Sequence, residues 1–187
     1  MGRWEPDAAG RLREAAMALY AEHGYDGTTV ADIADRAGVT ARTFFRHFAD
    51  KREVLFAGSE QLEQQMVAAL AAAPADATPM DAVAAAVLAS AEFFDDIRRA
   101  YSRRRQAVIN ATPELREREL IKMASLTSAL TKGLLERGVA PDVAALAAET
   151  GVAVFRVSYE RWITDPDGGP IVDVIRATLK TLSGLTA

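Results

Sequence analysis

The chain has 187 residues, half of them apolar and 26% charged, and a net charge of −4 at pH 7. It contains no cysteine, which excludes disulfides, thiolate nucleophiles and cysteine-based zinc sites. Every apolar stretch is interrupted well short of the roughly 18–20 residues that a membrane span needs. The opening residues Met1-Gly2-Arg3-Trp4-Glu5-Pro6 lack the apolar core of a secretory signal, so the expected location is the cytoplasm.

Alanine, leucine, glutamate and arginine dominate, and no period-2 alternation persists, so the whole chain reads as helical. Leu12, Ala15, Ala16, Leu19 and Tyr20 form the stripe of a first amphipathic helix that ends at Gly24. Thr29-x-x-Asp32 is a capping box for a short second helix with Ile33 and Ala34 inward and Gly38 at its end. Thr40 caps a third helix carrying Phe44, Phe45 and Phe48. Asp50-x-x-Glu53 predicts the start of a longer fourth helix with Leu55, Phe56, Leu62, Met66 and Leu70, stopped by Pro74.

Thr78-Pro79-x-Asp81 opens a fifth helix predicted to reach about Ile97, followed by a short arginine-rich piece over about 99–111. Thr112-Pro113-Glu114 starts a helix that runs to Gly138, and Pro141 starts another over about 142–163. After Asp165-Pro166-Asp167-Gly168-Gly169-Pro170 a last helix carries Ile171, Ile175, Leu179 and Leu182. The expectation is an all-α protein of about nine helices: a three-helix domain over 1–52 and a larger helical domain over 53–187.

The charge is unevenly spread. Residues 1–52 hold 8 Lys/Arg and 8 Asp/Glu, leaving 14 against 18 for the remainder, so the acidity belongs to the larger domain. Within 36–52, Arg36, Arg42, Arg46, Lys51 and Arg52 face only Asp50, a local excess of 4 positive charges suited to phosphate. Two short capped helices around a glycine-containing turn, as in residues 29–48, form a helix-turn-helix. Its second helix would enter the major groove N-terminus first and bring Thr40, Ala41 and Arg42 to base edges, with Arg42 as the long donor. Thr43, Arg46, His47 and Lys51 lie on the flanks, where contacts go to phosphates.

Gly24-Tyr25-Asp26-Gly27-Thr28-Thr29, Ile33-Ala34, Ala37-Gly38-Val39, Thr43-Phe44-Phe45-Arg46-His47-Phe48 and Lys51 together resemble the N-terminal signature of TetR-family regulators over about residues 11–56. The resemblance implies DNA-facing positions for Thr29, Thr40, Ala41, Arg42, Thr43, Phe45, His47 and Lys51, with Phe44 and Phe48 in the core. Phe45 stands where the family usually has tyrosine, so a hydroxyl contact to the DNA backbone is replaced by apolar contact with a sugar or a thymine methyl. It also implies a homodimer through the last two helices, double-stranded operator DNA as partner, and an unknown small-molecule effector, with ligand relieving repression.

In the larger domain, cavities between bundle helices are natural ligand sites. Met66, Phe93, Tyr101, Met123, Thr127, Phe155 and Tyr159 are the candidate lining residues, although for each of them taken singly core packing is the favoured reading. Arg103-Arg104-Arg105 either binds an anion or pairs with Glu114, Glu117 and Glu119, and the second reading is favoured. His23 and His47 both fall in the first domain, and no nucleophile, metal-ligand cluster or phosphate loop is present. Neither an enzyme nor a cofactor is therefore expected. The rival reading is a helical adaptor that binds ligand or protein without reading DNA.

Overall fold

The computed structural model describes residues 7–165 and 169–185. Met1–Pro6, residues 166–168 of the proline-glycine breaker and residues 186–187 lie outside the described residues. The described residues are all-helical: α1 (Ala8–His23), α2 (Val30–Arg36), α3 (Ala41–His47), α4 (Ser59–Ala72), α5 (Pro79–Ala89), a 3-10 turn (Ser90–Phe93), α6 (Asp96–Ala111), α7 (Pro113–Glu136), α8 (Pro141–Thr164) and α9 (Ile171–Leu185). No helix among them is long and apolar enough to cross a membrane.

The chain divides into two compact units, one of Met1–Ala57 with Arg104–Glu119 and one of Gly58–Arg103 with Leu120–Ala187. In the first, the predicted stripe of α1 (Leu12, Ala15, Ala16, Leu19, Tyr20) is buried, together with Ile33 and Ala34 of α2, Phe44 of α3 and Phe48 directly after it. In the second, α5 and α8 cross closely. A Cβ added at Gly151 would stand 2.3 Å from Val83 Cγ1, a separation that only glycine permits. Around that crossing Met66, Leu70, Leu126, Leu130, Leu134, Trp162, Ile171 and Ile175 build one core.

Two helix ends share one device. After α2 the Gly38 backbone N–H donates to Asp35 O and the Val39 N–H to Ala34 O, each at 2.9 Å. After α7, Gly138 and Val139 repeat the pattern onto Leu135 and Leu134. Gly38 and Gly138 have φ of 68° and 82°, the left-handed conformation that this Schellman closure requires. Cations close other ends. Arg137 donates to the Leu70, Ala73 and Pro74 carbonyls after α4, and Arg103 Nε donates to Ile163 O near the end of α8 at 2.7 Å.

Three boundaries differ from the sequence expectation. The fourth helix starts at Ser59, not at the Asp50 cap. Asp50 Oδ1 does accept the Arg52 and Glu53 backbone N–H groups, but Val54, Leu55 and Phe56 are all buried. Three consecutive buried side chains span too wide an arc for one face of a surface helix, and the chain turns through them, with Leu55 and Phe56 N–H bonded to Arg52 and Glu53 carbonyls. Gly58, at φ 90°, then sets the entry to α4. The fifth helix ends at Ala89 rather than near Ile97, because the next residues tighten into the 3-10 turn and Phe94 adopts an extended conformation. The arginine-rich piece is a full 16-residue helix, α6, with Asp95 Oδ1 accepting the Arg98 backbone N–H at 2.7 Å.

Candidate nucleic-acid interface

The reading element is built from local capping. Thr29 Oγ1 accepts the Asp32 N–H and donates to Asp32 Oδ2 at 2.6 Å, while the Thr29 N–H donates to the same carboxylate. These bonds, the Thr29 side chain first, hold the Asp32 carboxyl below the usual aspartate range. Thr40 caps α3 in the same way through the Thr43 N–H at 3.2 Å, with the two hydroxyls 3.1 Å apart. Both threonines thus have structural partners as well as the DNA-facing positions implied by the resemblance.

On α3 the aromatic triad separates cleanly. Phe44 is fully buried and Phe48 nearly so, whereas Phe45 is 59% exposed, its ring edge-on to Phe44 at 5.5 Å. Thr40, Ala41, Arg42, Arg46 and His47 are exposed and Thr43 is half-buried. One helix face therefore presents Arg42, Phe45 and Arg46 outward together.

The basic patch is smaller than its charge count. Arg36 forms a two-point pair with Glu22 at 2.7 and 3.1 Å, which holds the Glu22 carboxyl down. Arg52 is chelated by Asp50 at 2.6 and 3.0 Å and lies 3.2 Å from Glu114. The Lys51 ammonium donates to the Tyr25 and Thr28 carbonyls at 2.8 and 3.0 Å. Of the five cations, Arg42 and Arg46 are the two without a hydrogen bond or ion pair among the described residues, and both lie on α3.

Lys51 has a further role that the sequence did not disclose. Its backbone carbonyl accepts the Tyr20 hydroxyl at 2.7 Å and its side chain reaches back over the Tyr25 ring, while Thr28 Oγ1 closes onto Gly24 O at 2.8 Å. Tyr25 is buried here, and desolvation pushes its phenol well above the usual tyrosine range. The Gly24–Thr29 segment and Lys51 are therefore one stitched corner that orients α2 and α3.

A second missed feature is the contribution of 104–119 to the same unit. Arg105 Nε donates to Leu55 O at 2.6 Å, its guanidinium lies 5.1 Å from the Phe56 ring centroid, and Glu119 stands 3.6 Å away. Arg118 Nε pairs with Glu53 at 2.6 Å. The Arg103–Arg105 run thus divides: Arg105 meets Glu119 as favoured, Arg103 bonds a backbone carbonyl, Arg104 is exposed, and Glu114 pairs with Arg52 instead. Alternating Arg and Glu over 114–119 was the only signal available.

The candidate pocket residues are dispersed. Met66 is fully buried and Phe155 is 5% exposed, while Phe93, Tyr101, Met123, Thr127 and Tyr159 are half-buried. Phe155 and Tyr159 stack at 6.2 Å in a cluster that also contains Phe94 and Trp162, which lie outside the candidate pocket set. Phe93 lies beside Gly58, and Met123 packs on the core that contains Met66.

Two short capped helices that expose Arg42, Phe45 and Arg46, in an all-helical chain, define a helix-turn-helix DNA-binding transcription regulator. Residues 12–57 match the family model of bacterial regulatory proteins of the tetR family, and residues 77–186 match that of the MftR C-terminal domain. The chain belongs to the TetR family of transcriptional regulators. It is 29% identical over 192 residues to the regulator MftR assigned to mycofactocin biosynthesis in Mycobacterium tuberculosis, covering 98% of this chain and 96% of that protein. It is 48% identical to the Mycobacterium tuberculosis repressor KstR2 over 46 residues, 25% of this chain and 23% of that one. The fold is shared with Bacillus subtilis FadR, crystallised with stearoyl-CoA, at TM-score 0.62 and 19% identity over 92% of this chain and 96% of that chain.

Proposed function

We propose that the chain is a cytoplasmic, dimeric repressor whose residues 1–52, in the unit completed by 53–57 and 104–119, read an operator, and whose remaining residues pair two copies and bind an effector that releases the DNA. The observation that carries the DNA-reading half is the joint exposure of Arg42, Phe45 and Arg46 on α3 while the neighbouring cations are engaged. Arg42 reads a guanine edge, Phe45 meets a thymine methyl or sugar, and Thr43, Arg46 and His47 take phosphates with Thr40 and Ala41 at the groove. Thr29 and Lys51 act there chiefly by holding the corner in shape.

Pairing through α8 and α9 is supported by an exposed stripe of Val143, Leu146, Ala153 and Val157 along α8. A dimer sets its two recognition helices about 34 Å apart or a multiple of it, so small rearrangements in the body alter affinity strongly. An effector with an apolar moiety is in keeping with the acyl chain of the stearoyl-CoA in the FadR structure. By reciprocity, operator DNA weakens effector binding by the same factor.

Sequencing the DNA fragments retained by the purified protein tests the reading. Recovery of a pseudo-palindromic site is expected. On that site Arg42→Ala should lose about 1–3 kcal/mol of discrimination between correct and substituted bases. Arg46→Ala should weaken all sequences alike and reduce the salt slope by about 1. Salt-independent binding that is equal in wild type and both variants would overturn the reading.

A further inference from the structure

Most helical hydroxyls in this chain return their proton to the carbonyl four residues earlier. On α8 and α9, Thr150 donates to Leu146 O at 2.7 Å, Thr164 to Glu160 O at 2.8 Å and Thr178 to Val174 O at 2.9 Å. Ser158, in the middle of α8, does not. Its Oγ is buried and without a hydrogen-bond partner among the described residues, and one turn further on the Trp162 indole N–H is in the same state. Both residues are 0% exposed. Two orphaned polar groups, one turn apart on one helix, is a costly arrangement that calls for a partner.

The surroundings say what kind of partner. Phe94 lies 5.3 Å from Tyr159, 5.9 Å from Trp162 and 6.1 Å from Phe155, ring centroid to centroid. Arg99 covers Trp162 at 5.2 Å while its guanidinium is tied to the Asp165 and Gly169 carbonyls at 3.1 and 2.7 Å. This is an aromatic environment roofed by the Arg99 cation, and α8 brings to it two hydrogen-bonding groups of matched sense: the indole donates only, and the hydroxyl donates as well as accepts. The group that satisfies both is an acceptor oxygen.

We propose that Ser158 and Trp162 are the polar anchor of the effector site, and that the part of the effector bound there is an apolar moiety bearing a carbonyl oxygen. The oxygen accepts from both groups, and the rest of the molecule displaces Phe94 and packs against Phe155 and Tyr159. Phe94 is the movable wall. It is half-buried, and it sits in extended backbone between the 3-10 turn and α6, held by a single backbone bond from its N–H to Ala91 O at 3.1 Å. Its displacement acts directly on the start of α6. This rests on the reading of the chain as an effector-responsive regulator.

The test uses the whole protein labelled with 15N-tryptophan, which gives one indole resonance each for Trp4 and Trp162, assigned by Trp162→Phe. Acetophenone is titrated against α-methylstyrene, which replaces C=O by C=CH2 in the same shape. Acetophenone should move the Trp162 indole proton downfield with saturation and bind about tenfold more tightly. Ser158→Ala, a small change in a helix, should reduce that preference to about threefold or less. No shift with acetophenone up to its solubility limit, or equal affinity for the two compounds, overturns the assignment. Operator retention is measured in the same samples. A saturating shift that leaves DNA binding unchanged upholds the anchor and counts against ligand-controlled release, whereas a DNA response without the shift counts against the anchor alone.

Discussion

The Lys51 ammonium lies 4.1 Å from the centre of the Tyr25 ring and donates to that residue's own carbonyl. A cation held this way is a strut first and a phosphate contact second. Lys51→Met should therefore lower the stability of the unit by about 1–3 kcal/mol in denaturant titrations, from lost charge-assisted bonds. Arg46→Ala should stay within about 0.5 kcal/mol of wild type. Unchanged stability in Lys51→Met with weakened DNA binding would assign the lysine to phosphate alone.

Phe44 and Phe45 are adjacent and opposite in role. Phe44→Ala, at a fully buried site, should cost about 3–5 kcal/mol. Phe45→Ala, on an exposed ring, should leave stability within about 0.5 kcal/mol and reduce operator affinity. Thermal melts and gel shifts on the two variants separate these outcomes.

Asp50 supplies an acid-sensitive tie. Its bond to Arg52, above all, holds the folded carboxyl below the ordinary value. A depressed folded pKa gives stability that is present above the unfolded value of about 3.9 and lost as pH falls through the folded one. Wild type should thus lose melting temperature below about pH 4, relative to Asp50→Asn, whose curve lacks that component. Both side chains are partly exposed, so salt should shrink the difference.

Gly151→Ala places a methyl against Val83 and should destabilise by about 1–3 kcal/mol. Adding Val83→Ala should recover part of that loss, and a double-mutant cycle measures how much. Strict additivity would mean that the helices shift rather than clash.

Leu146 is 70% exposed on α8. If that stripe meets a second copy, Leu146→Glu with Val157→Glu should shift the protein to monomer in light-scattering chromatography. It should also abolish two-half-site binding, with the melt of the isolated chain little changed. A monomeric wild type would remove the dimer from the proposal.

The parts of this fold that were legible in the sequence are those whose causes are local. Thr29-x-x-Asp32, Thr40 and the paired Gly38-Val39 each act within a few residues, and the helices they start or end lie where the pattern put them. Asp50-x-x-Glu53 is just as good a cap, yet no helix follows directly. The fate of Leu55 and Phe56 is set by Arg105, 50 residues from Leu55. Charge counting failed for the same reason: Arg36 is paired with Glu22 and Arg52 approaches Glu114, neither of them within 36–52. The orphaned Ser158 and Trp162 were invisible because a hydroxyl and an indole carry no sign in the sequence of whether a partner awaits them.

The reading head is not a contiguous stretch of chain. Its unit includes Arg104–Glu119, with Ile109 and Leu115 fully buried there and Arg105 and Arg118 bonded to Leu55 and Glu53. A hybrid regulator made by fusing residues 1–57 to another sensor would leave Val54, Leu55 and Phe56 without that cover. Grafting this specificity onto a new input therefore means transplanting two segments, with the donor's 104–119 replacing the recipient's own corner.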